Sequence, residues 1–223
     1  MNLNLARSNM IEQQIRPWDV LDQRVLDVLG DVPREQFLDP AYEGIAYSDH
    51  PLPRGHGQFM LAPNVDGRLL QALDLKTTDS VLEIGTGSGF LTPCLARLAR
   101  HVDSVEINAE LHQAALGRLN SLACSNVTAR HLDASKEWDA DDQYDGIVFT
   151  GSLPEVPQFY LDKLAPEGRL VAIIGNPSEA TMSAMLMTRV SATEILCDSL
   201  FETRADALLN FAPDAKPASA FVF

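Results

Sequence analysis

Three glycines alternate in Gly85-Thr86-Gly87-Ser88-Gly89, directly after the apolar run Val81-Leu82-Glu83-Ile84. Glycine accepts positive φ angles and carries no Cβ, so a strand ending in such a run can turn sharply and bring its backbone close to a ligand. A nucleotide-like ligand fits that description. Glu106 stands 21 residues after Gly85, at the end of the next apolar run, residues 102–107. Doubly wound folds hold a ribose there, and two carboxylate oxygens suit the 2′ and 3′ hydroxyls. A dinucleotide requires G-x-G-x-x-G, whereas this loop is G-x-G-x-G with Glu83 two residues ahead of the first glycine. The spacing therefore favours an adenosyl ligand without a pyrophosphate, held by Glu83, Gly85, Thr86, Gly87, Ser88, Gly89 and Glu106. Asp133, after a third apolar run, is either an acceptor for the adenine amino group or a turn or helix-start aspartate. Asp145 opens a run to Thr150 that supplies a further ligand loop, or it caps its own strand.

Those residues need a sheet to hold them. Residues 62–174 alternate between helical and strand-like patterns, the signature of crossover helices on a parallel sheet. The spacing predicts strands at 80–84, 102–107, 127–131, 144–150 and 169–174, with helices at 91–99, 109–122 and 158–164. A further helix begins at Pro63 and turns Leu69, Leu70 and Leu73 inward. Beyond Gly175, strand-like runs at 182–190 and 193–201 are separated only by Ser191 and Ala192. That is too short for a parallel crossover and predicts an antiparallel hairpin at the sheet edge. The first 61 residues are helix and loop broken by Pro17, Pro33, Pro40, Pro51 and Pro53. Their best helical pattern covers 20–29, with Leu21, Val25, Val28 and Leu29 on one face and Gly30 ending it. The expected fold is α/β: a doubly wound, mostly parallel, Rossmann-like sheet with an antiparallel C-terminal hairpin and an N-terminal helical cap. One domain spans 1–223, divided into cap (1–61), ligand-binding core (62–175) and C-terminal strands with tail (176–223).

A chain of 223 residues, 46% hydrophobic, can bury one substantial core. Its formal charge of −14 argues against nucleic acid or an anionic membrane surface as partner, because both require a basic footprint. Cys94, Cys124 and Cys197 lie far apart, without a CxxC pair or a histidine at ligand spacing. Neither a disulfide framework nor a metal site is indicated, and the three are expected to be buried thiols of a reducing, cytoplasmic compartment. No apolar run approaches membrane-spanning length, and residues 1–7 lack a signal-peptide pattern. Trp18 and Trp138 are expected as partly buried anchors, and Met182, Met185 and Met187 as core filling at the sheet edge. The acidic stretch 139–142 is expected to keep a loop solvated.

Several segments together resemble the protein-L-isoaspartate (D-aspartate) O-methyltransferases, a branch of the class I methyltransferases. Val32-Pro33-Arg34-Glu35-Gln36-Phe37 is similar to their V-P-R-E-x-F. Residues 49–58, with Pro51-Leu52-Pro53 and Gly57-Gln58, resemble D-x-P-L-P-I-G-x-G-Q. Residues 81–90 resemble V-L-E-I-G-T-G-S-G-Y, and Tyr144-Asp145-Gly146-Ile147-Val148 resembles F-D-x-I-x. The resemblance implies S-adenosyl-L-methionine as cofactor, bound at Gly85, Gly87, Gly89, Glu106 and Asp133. It also implies an isoaspartyl carboxylate in a damaged protein as methyl acceptor, giving an ester that collapses to a succinimide.

The chain departs from this pattern where the family continues G-Q-T-I-S-x-P. Here the stretch is Gly57-Gln58-Phe59-Met60-Leu61-Ala62-Pro63, so Leu61 replaces the serine to which the family's active-site role is assigned and Phe59 replaces threonine. Losing a polar group from a pocket can redirect substrate choice. A different protein or a small acidic molecule therefore remains an alternative acceptor, and a non-catalytic cofactor-binding protein a further alternative. Leu132 stands where the family has glycine before Asp133. Arg54 replaces an apolar family residue, and its planar fork suits a carboxylate. His56 is a candidate base for a less acidic acceptor or a solvated loop histidine. Arg54 and His56 are thus the two candidate catalytic residues.

Overall fold

The computed structural model describes residues 2–137 and 143–211. Its elements in chain order are α1 (Leu3–Met10), α2 (Gln23–Asp31), β1 (Leu52–Gly55), β2 (Gln58–Met60), α3 (Pro63–Leu73), β3 (Ser80–Ile84), α4 (Leu91–Leu98), β4 (His101–Glu106) and α5 (Ala109–Ser121). They continue with β5 (Val127–His131), β6 (Tyr144–Leu153), α6 (Gln158–Asp162), β7 (Leu164–Ile174), β8 (Met182–Arg189) and β9 (Ile195–Thr203). A seven-stranded sheet runs in the order β5-β4-β3-β6-β7-β8-β9. The five strands β3 to β7 pair in parallel, while β8 is antiparallel to both β7 and β9.

Chain order explains where a ligand must sit. From β3 the chain steps outward through α4 to β4 and through α5 to β5, then returns to place β6 on the other side of β3. The crevice where direction reverses opens between the carboxyl ends of β3 and its neighbours, the position at which open α/β sheets bind ligands. The glycine loop leaves β3 there.

Alternation along the strands divides the interior into two layers. Val81, Val102, Val148, Val171 and Ile173 face one layer, whereas Leu82, Ile84, Val105, Ile147, Phe149, Leu170 and Ala172 face the other. This is the two-residue period of a sheet buried on both faces. The first layer also contains Met10, Ile15, Val25, Leu26, Leu29, Leu69, Leu70 and Leu95, so the N-terminal segment packs on the sheet through the same buried cluster as α3 and α4. Tyr160 of α6 closes the second layer, edge-on to Phe149 at a centroid distance of 4.9 Å.

Several expectations shift by a few residues, and others are corrected. The helix expected over 20–29 begins at Gln23, because the Asp22 side chain accepts from Arg24 N at 2.9 Å and caps it. Leu21 is left outside the helix and 70% exposed, while Leu26 takes its expected place in the core. Gly30 lies within α2, which ends at Asp31. The β1–β2 hairpin and α1 were not expected from the pattern; the hairpin's bend uses Gly55, His56 and Gly57, all at positive φ. Of the cysteines only Cys94 is buried; Cys124 is half-buried and Cys197, on edge strand β9, is exposed. Trp18 is partly exposed and meets Phe201 edge-on, and Met182 is buried in the core. Trp138, the acidic stretch 139–142 and the tail beyond Phe211 lie outside the described residues.

Arg34 explains why its segment is so constrained. It is fully buried, donates from Nη1 to Asp66 at 2.7 Å and from Nη2 to the Leu61 carbonyl, and lies 4.6 Å over the Phe90 ring. The cap, the start of α3 and the end of the glycine loop are joined through one side chain. Burial pushes the Asp66 carboxyl up to about 6 against the opposing pull of Arg34. Removing one partner leaves the other unpaired inside the protein. Arg34→Ala is accordingly expected to lower unfolding free energy by about 3–5 kcal/mol, measured by urea denaturation at pH 7.5. A loss below about 1 kcal/mol would contradict that role.

Candidate active site

The glycine loop is held by its own backbone and by the two strands beside it. Gly85 N and Thr86 N both donate to the Val105 carbonyl, at 2.8 and 3.0 Å, and Gly89 N closes a turn onto the Thr86 carbonyl at 2.9 Å. Thr150, at the carboxyl end of β6, donates its hydroxyl to the Gly85 carbonyl. Gly85, Gly87 and Gly89 take φ values of +95°, +57° and +85°. A Cβ on Gly85 would collide with Thr150 and Leu208, and one on Gly87 would overlap the Arg54 guanidinium. Positive φ favours glycine at these two positions, and a Cβ there would force the neighbouring side chains to move.

Parallel pairing of β3 with β4 carries Glu106 to the loop. Its Oε2 accepts from Gly87 N at 2.7 Å and its Oε1 from Asn108 N at 2.9 Å. The carboxylate borders a cavity of about 370 Å³ lined by Ile84, Gly85, Val105, Ile107, Leu132, Asp133, Ala134, Leu208 and Phe211 together with Arg54. The shape of this lining is an apolar slot with carboxylates at its rim, suited to a flat base and a ribose. Asp133 accepts from Ser135 N at 3.0 Å, Ser135 Oγ at 2.7 Å and Asn210 Nδ2 at 2.9 Å. Partial burial raises its pKa, but these bonds outweigh that and hold it below the usual range.

Glu83 is fully buried behind the loop. Its Oε2 accepts from Thr92 Oγ1 at 2.6 Å and Ser104 Oγ at 2.5 Å, and Ser104 also bonds Thr86 Oγ1 at 2.6 Å. Its Oε1 has no hydrogen-bond partner among the described residues. Burial, reinforced by Glu106 and Asp66, pushes its pKa up to about 7 despite the two hydroxyl donors.

A second cavity, about 320 Å³, adjoins the first and is lined by Gly85, Thr86, Ser88, Phe90, Leu91, Thr150, Asp66 and the hairpin residues Arg54, Phe59, Met60 and Leu61. An open groove shares Phe59, Met60 and Leu61 with it and continues past Pro51, Pro177, Arg204 and Asp206. Arg54 lines both cavities. It donates from Nη2 to Gln58 Oε1 at 2.9 Å, and its buried Nε has no partner among the described residues. Burial lowers its pKa while Glu106, Asp206 and Glu83 oppose that fall.

The structure thus brings Glu83, the three glycines, Thr86, Ser88, Glu106, Asp133 and Arg54 together. His56 is not brought in: at the hairpin bend its Nε2 lies 3.2 Å from Glu110 Oε2, and it lines neither cavity. Asp145 lies at the opposite end of its strand, where it accepts from Ser80 N at 2.8 Å. Sequence reasoning missed the segment 205–211. Ser152 N donates to the Asp206 carbonyl and Leu208 N to the Ser152 carbonyl, both at 2.8 Å, laying this segment along β6. The Asp206 carboxylate then accepts from Phe59 N at 2.6 Å and ties the hairpin down. No periodicity or glycine in 204–211 announces this.

Glu83 has a measurable consequence. Its pKa is raised on folding from 4.5 to about 7, so its contribution to stability is full below pH 4.5 and is lost as pH rises through 7. The loss is on the order of 3 kcal/mol. Wild-type urea stability is expected to fall between pH 4.5 and about 7, and Glu83→Gln to flatten that fall. Parallel profiles for the two proteins would refute the assignment.

Comparison with known proteins identifies the family. The family model described as Protein-L-isoaspartate(D-aspartate) O-methyltransferase matches residues 5–204. A Rhodopseudomonas palustris protein named Protein-L-isoaspartate O-methyltransferase 1 is 36% identical over 92% of this chain and 83% of its own length. A Syntrophotalea carbinolica Protein-L-isoaspartate O-methyltransferase is 36% identical over 90% of this chain and 94% of its own. Two solved structures share the fold. One, a protein-L-isoaspartate O-methyltransferase, has a TM-score of 0.80 at 23% identity, covering 92% of this chain and 67% of that one. The other, from Plasmodium falciparum and described as a methyltransferase of this kind in complex with S-adenosyl-L-homocysteine, has a TM-score of 0.78 at 22% identity, covering 91% and 97%. On the strength of the family model and these relatives, the chain belongs to the protein-L-isoaspartate (D-aspartate) O-methyltransferase family.

Proposed function

We propose that this protein transfers a methyl group from S-adenosyl-L-methionine to the free carboxylate of isoaspartyl residues in peptides and damaged proteins. The observation that carries the proposal is the continuity of three spaces: the slot at Glu106 and Asp133, the cavity under Leu61, and the groove that opens past Arg204. This reading places the donor along the first two and an extended acceptor in the third. The residues present suit the cofactor: Glu106 accepts from a ribose diol, Asp133 from an adenine amino group, and Ile84, Leu132, Ala134 and Phe211 flank the base. When bound, the cofactor supplies an electrophilic methyl on a sulfonium that retains the electron pair of the broken C–S bond.

A carboxylate acceptor is ionised at neutral pH, so no base is needed and positioning is the main requirement. That need removes any obligatory part for His56, which is engaged by Glu110. It gives one to Arg54. With Leu61 in place of a hydroxyl-bearing residue, the Arg54 guanidinium is the donor at the junction of the two cavities that is able to orient a carboxylate. The apolar Leu61 also keeps a second reading open, in which the same site methylates a different protein or a small acidic molecule. The free state of Cys94, Cys124 and Cys197 supports action in a reducing, cytoplasmic setting, and no helix of the described residues is long and apolar enough to cross a membrane.

Incubation with methyl-labelled cofactor and an isoaspartyl peptide, beside its normal aspartyl counterpart, tests this directly. Base-labile label on the isoaspartyl peptide alone is the expected result. Cofactor binding without transfer to either peptide would transfer the assignment to the second reading. Arg54→Met is expected to lower kcat/KM for the true acceptor by about 10- to 100-fold, mainly through KM, as loss of a charge-assisted hydrogen bond does.

A further inference from the structure

We propose that Arg54 also sets the balance between binding of the methyl donor and binding of the demethylated product, favouring the product because it carries no sulfonium charge. The inference rests on the cofactor reading above and concerns a residue that the family pattern replaces with an apolar side chain.

Three observations support it. First, the guanidinium lies so close to Gly87 that a Cβ there would displace it, and it lines both cavities. A ligand reaching from Glu106 into the cavity beneath Leu61 must pass it. Second, the charge is not spent on an ion pair. Among the described residues its hydrogen bond is to the neutral Gln58 and its Nε has no partner, while the charges of Glu106, Asp206 and Glu83 act on it without a hydrogen bond. Third, the acids around it hydrogen-bond elsewhere through at least one oxygen: Glu106 to Gly87 N and Asn108 N, Glu83 through Oε2 to Thr92 and Ser104, and Asp206 to Phe59 N. They attract any cation in the cavity, the guanidinium and a sulfonium alike, while Arg54 repels the sulfonium.

Methyl transfer to a carboxylate removes both charges. The carboxylate oxygen forms the new bond to the methyl carbon, the C–S pair returns to sulfur, and no proton is released. A fixed cation beside the sulfur loses its repulsion as the methyl leaves and, at the same time, its attraction to the acceptor carboxylate, so its net effect falls on which ligand binds and not on the chemical step. The same cation leaves the neutral thioether product bound relatively tightly. Arg54 thus works on the donor through charge and on the acceptor through hydrogen bonding.

The test is isothermal titration of S-adenosylmethionine and of S-adenosylhomocysteine, without acceptor, into wild type, Arg54→Met and Arg54→Lys. In Arg54→Met the ratio of the donor Kd to the product Kd is expected to fall roughly tenfold, the scale of a like-charge contact in a partly buried site. Arg54→Lys should keep the wild-type ratio. A ratio unchanged in Arg54→Met, or affinities that weaken in parallel for both ligands, would show that Arg54 acts through packing and would overturn the proposal. Failure of wild type to bind either ligand would overturn the cofactor reading itself. Binding without transfer to an isoaspartyl peptide would affect only the acceptor assignment.

Discussion

Glu106 reaches Gly87 N because β4 lies parallel to β3 and one strand further out, and much of the site depends on that pairing. The register sets Ile84 beside Val105, so the strand after Ile84 turns away where β4 still has one residue to run. The glycines convert that offset into a pocket. Their positive φ angles fold the loop back on the Val105 carbonyl, and the carboxylate of the following residue catches the loop from outside. A register slip of one residue would send Glu106 to the opposite face and leave Gly87 N without its acceptor.

Behind this hinge the protein spends buried polar groups where a simpler core would use apolar ones. Glu83, Thr86, Thr92 and Ser104 form one network under the loop, and Arg34 with Asp66 forms another under the hairpin. Each costs desolvation, seen in the elevated pKa values of Glu83 and Asp66. In return they fix geometry. Arg34 simultaneously holds the Leu61 carbonyl, the start of α3 and the face of Phe90, so the β1–β2 hairpin cannot drift from the glycine loop without breaking it.

The groove beside Leu61 is assembled differently, from two short segments that meet: the β1–β2 hairpin and residues 205–211. The bond from Phe59 N to Asp206 spans 147 positions of sequence and holds them together. Two features of this chain coincide at that junction, the apolar Leu61 and the cationic Arg54. An apolar side chain and a guanidinium thus share one pocket wall, where the family pattern has a hydroxyl and an apolar residue.

What the residues alone determined was whatever depends on local conformation and short spacing. Strands β3 and β5 begin and end where alternation places them, Pro63 opens α3, and the short break after β8, five residues rather than the two expected, still makes β8 and β9 antiparallel. The glycine loop and Glu106 were legible for the same reason, since a βαβ unit converts a fixed sequence separation into a fixed distance. The helix start was misjudged at Leu21 because the cap is a side-chain hydrogen bond from Asp22, which apolar periodicity does not register. Only the tertiary structure could place Arg54 across Gly87, seat His56 against Glu110 and bring Asp206 to Phe59. Those contacts join segments far apart in the chain, and their partners are chosen by packing of the whole sheet, which no local pattern of residues encodes.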